Sequence, residues 1–411
     1  MRKRALIAAL VLALAGRAAA GAAEDLAWPR LLDRPLAVES RDGQARLELS
    51  GLADLEGYVI DRRPPGLIFG GDEPFVNPRL SLFVDAKVGA RWYAFVEARL
   101  DRGFDPRSSS SSFRFDQYLL RYAPLADGRV HVQVGKFATV VGNWVARHDS
   151  WSNPFINAPL PYENVTIIDD ARAAPSRDAF LDRRTVPDRK HEWVPMLWEP
   201  SYASGAAVFG RERMAEWALE VKNAALSARP EIWDARARGF AHPTVNGRVG
   251  WRPNAAWAFG ASLSGGTYLR EKAAATLAAG RQIGDYHQYL AGLDGSYAWR
   301  HWQLWAEVFA TRFEVPRVGD ADSLAYYLET RYALTPRLSA ALRWNQQFFG
   351  TVEDDAGRDR AWDRDAWRVD TALGYRFNRH LQGKLQYSYF RQHGNLQQGE
   401  QLVAAQLTLK F

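Results

Sequence analysis

The sequence predicts an all-β chain: an antiparallel up-and-down β-barrel of about sixteen strands that crosses a membrane, with fourteen or eighteen as the alternatives. Three observations predict it. Apolar and polar residues alternate with a period of two along most of the 411 residues, short and long connections follow one another in turn, and aromatic rings gather where the alternating runs end. A mean hydropathy of −0.34 excludes a bundle of apolar helices. It does not exclude a barrel, because half of each barrel strand faces water.

The chain opens on Met1-Arg2-Lys3-Arg4, an apolar stretch from Ala5 to Gly16, and small residues from Ala18 to Ala23. This is the pattern of a cleaved export signal over residues 1–23, and its apolar part is well short of the ~20 residues that span a bilayer. Without Arg2, Lys3, Arg4 and Arg17 the balance of 53 basic to 47 acidic residues becomes 49 to 47. So small an excess does not point to nucleic acid. The chain has no cysteine, which excludes a disulfide framework, a thiolate metal site and a cysteine nucleophile. Residues 24–43 read as a short periplasmic extension, and 44–411 as the barrel.

Leu80, Leu82, Val84, Ala86 and Val88 share one face of a strand that turns at Gly89-Ala90-Arg91 into Trp92, Ala94, Val96, Ala98 and Leu100. Six further hairpins follow. Tyr118–Tyr122 pairs with Val130–Val134, and a less regular pair joins Tyr202–Phe209 to Trp217–Val221. Val245–Trp251 turns into Trp257–Leu263, Tyr289–Tyr297 into Trp302–Val308, Tyr326–Tyr332 into Leu338–Trp344, and Trp367–Phe377 into Leu381–Tyr389. One strand near Arg46–Tyr58 and another bearing Val403, Ala405, Leu407, Leu409 and Phe411 complete the set.

Between hairpins lie longer polar connections, at 103–112, 223–242, 269–284, 316–323, 350–365 and 391–399. Strict sorting of this kind is what short inner turns and long outer loops produce in a membrane barrel. Trp92, Tyr93, Tyr122, Trp251, Trp257, Tyr297, Trp302 and Tyr332 fall beside the short turns, and Tyr58, Tyr268, Tyr286, Tyr289 and Tyr389 near the long loops. Such rings anchor at a membrane interface. Hydrocarbon leaves no backbone group unsatisfied, so the strand bearing Phe411 should pair with the strand near Arg46–Tyr58.

The terminal run Leu402–Phe411, ending on an aromatic residue, resembles the closing strand of bacterial outer-membrane proteins. That resemblance implies an outer-membrane location and reading of Phe411 by the barrel assembly machinery. The architecture is similar to that of the sixteen-stranded porins, and His131–Phe137 is similar to a strand of substrate-selective porins. The porin resemblance implies a homotrimer in outer-membrane lipid and lipopolysaccharide, small solutes as the transported partners, and no cofactor. It also implies that the loop after the fifth strand folds into the lumen.

That loop, at about 141–195, carries Trp144, Arg147, His148, Asp149 and Trp151, then Asp169, Asp170, Arg172, Arg177, Asp182, Arg183 and Arg184. Both signs of charge in a narrow passage would set a transverse field and a size limit. On the strands, Lys87, Arg99, Arg121, Lys222, Arg248, Arg331, Arg343, Arg368, Arg376, Lys384 and Lys410 are expected to face the lumen. With them come Asp85, Glu97, Glu216, Glu220, Asp294, Glu307, Glu329 and Asp370. Eleven cations to eight anions suggest a mild preference for anions or neutral solutes. Passive diffusion through a channel is therefore the expected function, with no catalytic residues and no metal. A rim-sited hydrolase using His148 and Asp149, and a structural barrel with a plugged lumen, are the alternatives. His148-Asp149-Ser150 holds the letters of a triad, but real triads gather distant residues.

Overall fold

The alternating runs close into a ring. The computed structural model describes residues 32–411 except 34–35, 62–65, 69–73, 104–110, 126, 187–188, 190 and 395–398, so the expected export signal lies outside the described residues. Sixteen antiparallel strands form the barrel. They are β1 (Ala45–Ile60), β2 (Phe75–Val88), β3 (Trp92–Asp101), β4 (Ser112–Tyr122), β5 (Val130–Lys136), β6 (Ser204–Glu212), β7 (Ala215–Lys222) and β8 (Thr244–Trp251). Then come β9 (Trp257–Thr267), β10 (His287–Trp299), β11 (Trp302–Val315), β12 (Gly319–Ala333), β13 (Leu338–Phe349), β14 (Ala366–Arg376), β15 (Leu381–Gln392) and β16 (Glu400–Lys410). Each strand pairs with its sequence neighbours, and β16 pairs with β1 from Leu52↔Lys410 to Ile60↔Leu402. A short strand at Leu36–Glu39 lies outside the ring and pairs with Arg46–Leu49 of β1, beyond the end of β16.

Gly51 shows how tight the closing seam is. Phe411 exchanges backbone hydrogen bonds with it, at 2.9 and 3.1 Å, and a Cβ there would press into the Phe411 ring and lie 2.8 Å from the Ser81 carbonyl oxygen. Gly51→Val is therefore expected to lower the yield of folded barrel, read as loss of the heat-resistant band in an unboiled gel. An unchanged yield would show that the seam tolerates a side chain.

The two faces of the sheet have opposite chemistry. Leu263, Leu293 and Leu328 on the outside are 68%, 61% and 54% exposed, whereas Glu329, Arg343 and Asp370 on the inside are fully buried. Outward rings pair directly across strands at the short-turn end: Trp92 with Tyr122, Trp257 with Tyr297, and Trp302 with Tyr332, with centroids 4.5, 4.2 and 4.6 Å apart. The other end differs from expectation. Tyr58 and Tyr268 are buried inside, because strand parity turns Tyr58 inward and an apolar cluster under the loops claims Tyr268. Tyr93 also faces inward and donates to Asp85.

One predicted long connection is short. Strands β11 and β12 run on to Val315 and Gly319, leaving three residues between them. Phe313, Val315, Val318 and Ala321 pack into the loop cluster, and Arg312 bridges to Asp320 and Asp322 at 2.8 and 2.7 Å, so the paired ladder continues where polarity alone suggested a loop. A bulge interrupts β3 and β4, where Asp116 is the unpaired extra residue. It turns inward to Arg99 and Arg114.

Candidate functional site: the lumen and its loop

The loop after β5 crosses the lumen and is fastened to the far wall. Glu307 of β11 receives the backbone N–H groups of Asn143 and Trp144 and the Tyr162 hydroxyl, the last two at 2.9 and 2.7 Å. Gly142 permits this approach: its φ is +76°, and a Cβ would lie 2.5 Å from the Tyr162 oxygen. Further round, Arg147 bridges to Glu329 at 2.5 Å, Leu160 N–H donates to Asn345 at 3.0 Å, and Ile156 N–H donates to Gln386 of β15 at 2.6 Å. Buried backbone groups of the loop thus find their partners on inward wall side chains.

Arg343 is the centre of this fastening. Its guanidinium meets Asp370 at 2.8 Å and Glu329 at 3.4 Å, donates to Asn157 Oδ1 at 2.7 Å and lies 4.3 Å from the Phe155 ring centroid. Beside it, Arg368 joins Asp370 at 3.0 Å and also pairs with Glu163 of the loop.

The second half of the loop does not line a passage. Ile167, Ile168, Phe180, Leu181 and Trp193 form an apolar cluster with Phe313, Val315, Phe349 and Trp362 at the long-loop end. That packing turns the charged face of the segment away. Arg172 and Asp182 are exposed, Arg177 pairs with Glu353 at 2.8 Å, Arg183 donates to the Ile167 carbonyl at 3.1 Å, and Arg184 donates to the Ala361 carbonyl. Asp169 and Asp170 are buried, and Asp170 meets Arg229 and Arg270 at 3.3 and 2.9 Å. These seven residues, expected at a constriction, build and rim a cap, because the apolar half of their segment outweighs its charges.

What the loop leaves open lies in two places, against β1–β3 and against β4–β8. A cavity of about 130 Å³ is bordered by Asp54, Glu56, Arg79, Arg99, Asp101, His148, Glu163 and Glu199, among others. A wider space of about 680 Å³ at the short-turn end is bordered by Arg121, His131, Gln133, Phe209, Glu216, Arg248 and His148. His148 borders both. Arg79 bridges to Asp54 at 3.1 Å and also pairs with Glu56, and Arg99 reaches Glu97 at 2.7 Å and Asp116 at 3.1 Å. Arg121 donates to Gln133 at 2.8 Å and lies over the Phe209 ring. Asp85 and Lys87 sit on the same inward face near the short-turn rim.

Two loop groups have shifted protonation. Burial lowers the pKa of His148, which favours the neutral ring. Nδ1 lies 2.6 Å from the Val145 carbonyl, which can only accept, and Nε2 lies 2.5 Å from the Tyr202 hydroxyl. Asp149 accepts the N–H groups of Trp151 and Ser152, both at 2.8 Å. No serine hydroxyl joins them among the described residues. Glu199 sits at a positive φ of 40°; burial, with Glu163 beside it, pushes its carboxyl up to about 8.

Asp54, Glu56, Arg79, Asp101, Glu163 and Glu199 are absent from the sequence-derived set. Asp54 and Glu56 were legible, since they alternate with Leu55 and Gly57 on β1. Glu199 carries no periodic signal.

No family model and no curated protein matches the sequence. Solved structures do. OmpTdeltaL8 of Vibrio cholerae, an outer-membrane protein, aligns with a TM-score of 0.56 at 12% identity, covering 90% of this chain and 100% of that one. The anion-selective porin of Comamonas acidovorans gives 0.55 at 11% identity, covering 89% and 100%. The outer-membrane channel DcaP of Acinetobacter baumannii gives 0.53 at 10%, covering 91% and 99%. At such identities the likeness is one of fold. The chain, a closed sixteen-stranded barrel, shares the overall fold of these outer-membrane proteins.

Proposed function

We propose that the protein is an outer-membrane porin through which small hydrophilic solutes diffuse passively, with a mild preference for anions or neutral solutes. The observation that carries the reading is a charged lumen inside an apolar outer wall, with cavities of about 130 and 680 Å³ that are both bordered by His148. Arg147, His148, Lys87, Arg99, Arg121, Glu97, Asp85, Glu307 and Arg343 are then wall and constriction residues, some bordering the path and others holding the loop that narrows it. On this reading residues 1–23 are a cleaved export signal, 24–43 a periplasmic extension, and Phe411 a signal to the assembly machinery. The protein then sits in outer-membrane lipid and lipopolysaccharide as a homotrimer, in keeping with the trimer form of the Vibrio OmpT structure. On this reading it carries out no reaction, and the hydrogen bonds of His148 to Tyr202 and of Asp149 to loop N–H groups hold the loop in place.

A barrel sealed by its loop is the second reading, favoured by the apolar cap. Swelling of liposomes in sugars of graded size separates the two, since a channel admits small sugars and a sealed barrel admits none. A planar-bilayer reversal potential tests the preference; strong cation selectivity would contradict it.

The preference should also depend on pH. Glu199 is neutral below about 8 and ionised above it, and it faces Glu163, Asp101, Arg79 and Arg99 across the cavity. Raising the pH through that value adds a negative charge to the narrow part, so anion preference should fall. In Glu199→Gln that step should vanish, and a step that survives would assign the titration elsewhere.

A further inference from the structure

We infer that the lumen holds, at its short-turn end, a docking site for a small oxyanion, a phosphate or carboxylate, made by Arg331, Arg337, Arg376 and Lys384 around the loop residue Trp151. The inference deepens the anion preference proposed above and rests on that channel reading.

Many buried cations of the lumen have a carboxylate partner; Arg79, Arg99, Arg343 and Arg368 each have one or two. Of the four cations here, Lys384 is buried, Arg331 half-buried, and Arg337 and Arg376 exposed, and they have none. No carboxylate borders their cavity of about 120 Å³, and none forms an ion pair with them among the described residues. Among the described residues Arg331 donates to Gln303, at 3.3 Å. Arg376 lies 5.2 Å from the centroid of the Trp151 ring, with Lys410 on the same ring at 5.6 Å. Lys384, 8% exposed, donates to the carbonyls of Ser150 and Phe155 at 2.5 and 3.5 Å.

The wall between these groups is kept low. Ser339 pairs in register with Gly374, and Ala341, opposite Arg331, pairs with Ala372. Small inward residues leave a space far above the ~10–15 Å³ that one water needs. Like charges gathered at this partly open rim repel each other. A planar oxyanion would relieve that repulsion, because guanidinium groups take carboxylate and phosphate oxygens in pairs. The face of Trp151 holds Arg376 and Lys410 by cation–π attraction, which leaves their N–H groups free to turn toward a bound anion.

The test is made on the full-length protein in planar bilayers. Inorganic phosphate, and succinate as a second probe, are added to one side while chloride current is recorded. Saturable block is expected, with the half-blocking concentration raised roughly tenfold or more in Arg331→Gln/Arg376→Gln, as loss of charge-assisted hydrogen bonds implies. Arg331→Lys/Arg376→Lys should restore part of it. Block by either probe that weakens in the glutamine variant supports the site. A conducting wild type that neither probe blocks, or block unchanged in that variant, overturns it and leaves the channel reading standing. If the protein does not conduct, the channel reading fails instead, and phosphate binding to detergent-solubilised protein by calorimetry decides the site: heat of binding lost in the glutamine variant supports it, and none in the wild type overturns it.

Discussion

Arg343→Ala is expected to destabilise the folded protein by roughly 3–5 kcal/mol, the usual cost of breaking a buried ion pair from one side. It is also expected to raise the single-channel conductance. Both follow from one geometry. Arg343 is fully buried, and its loss takes a counter-charge from Glu329 and Asp370 and a donor from Asn157 of the loop, which keeps Gln386. Glu329 keeps Arg147 and Asp370 keeps Arg368, so the barrel should still close. The loop should lose its charged hold on β13, keep those of Leu160 on Asn345 and Asn164 on Gln347, and shift around Asn157 away from the passage. Heat-modifiability on gels gives the first readout and bilayer current the second. A variant with lower stability but unchanged conductance would mean that the loop is held by its apolar cap and remaining hydrogen bonds.

Leu293→Arg is the second large effect. Leu293 lies on β10 midway between the outward rings of Tyr289 and Tyr297, and is 61% exposed. An arginine on the lipid face at the bilayer midplane costs roughly 2–4 kcal/mol. Ser296→Arg, on the lumen side of the same strand, should cost much less, because its charge meets water and wall carboxylates. Equilibrium unfolding in urea from lipid vesicles measures both. Equal costs would place the two faces in the same medium.

Much of the barrel is legible because the alternation of period two ties each residue's face to its parity. From Leu80 to Phe411 that parity puts the quoted apolar stripes outside, except in the weakest hairpin, β6–β7, where Tyr202 and Phe209 turn inward but the turn still forms around Arg213, which takes a positive φ of 54°. The loop was harder. Its charges suggested a constriction, yet Ile167, Phe180 and Trp193 decide where the described residues of 165–195 go, and their partners Phe313, Phe349 and Trp362 lie far along the chain. No local pattern reports such contacts. Charge counting also misleads at this level: the eleven-to-eight excess says little until pairing is known, since Arg99, Arg343 and Arg368 are neutralised where they stand whereas Arg331 and Arg376 are not. The cavity acids are a mixed case, Asp54 and Glu56 being visible in the β1 alternation and Glu199 invisible in an irregular turn.

The most direct test of the whole account exploits the absence of cysteine. Single cysteines placed in turn from 289 to 297 on β10, spin-labelled in lipid vesicles, report contact with oxygen dissolved in lipid and with a water-soluble nickel chelate. Odd positions should be open to oxygen and closed to the chelate, and even positions should show no such lipid exposure. Odd positions shielded from both reagents would mean that the apolar stripe is packed against protein, and the membrane channel would have to be abandoned.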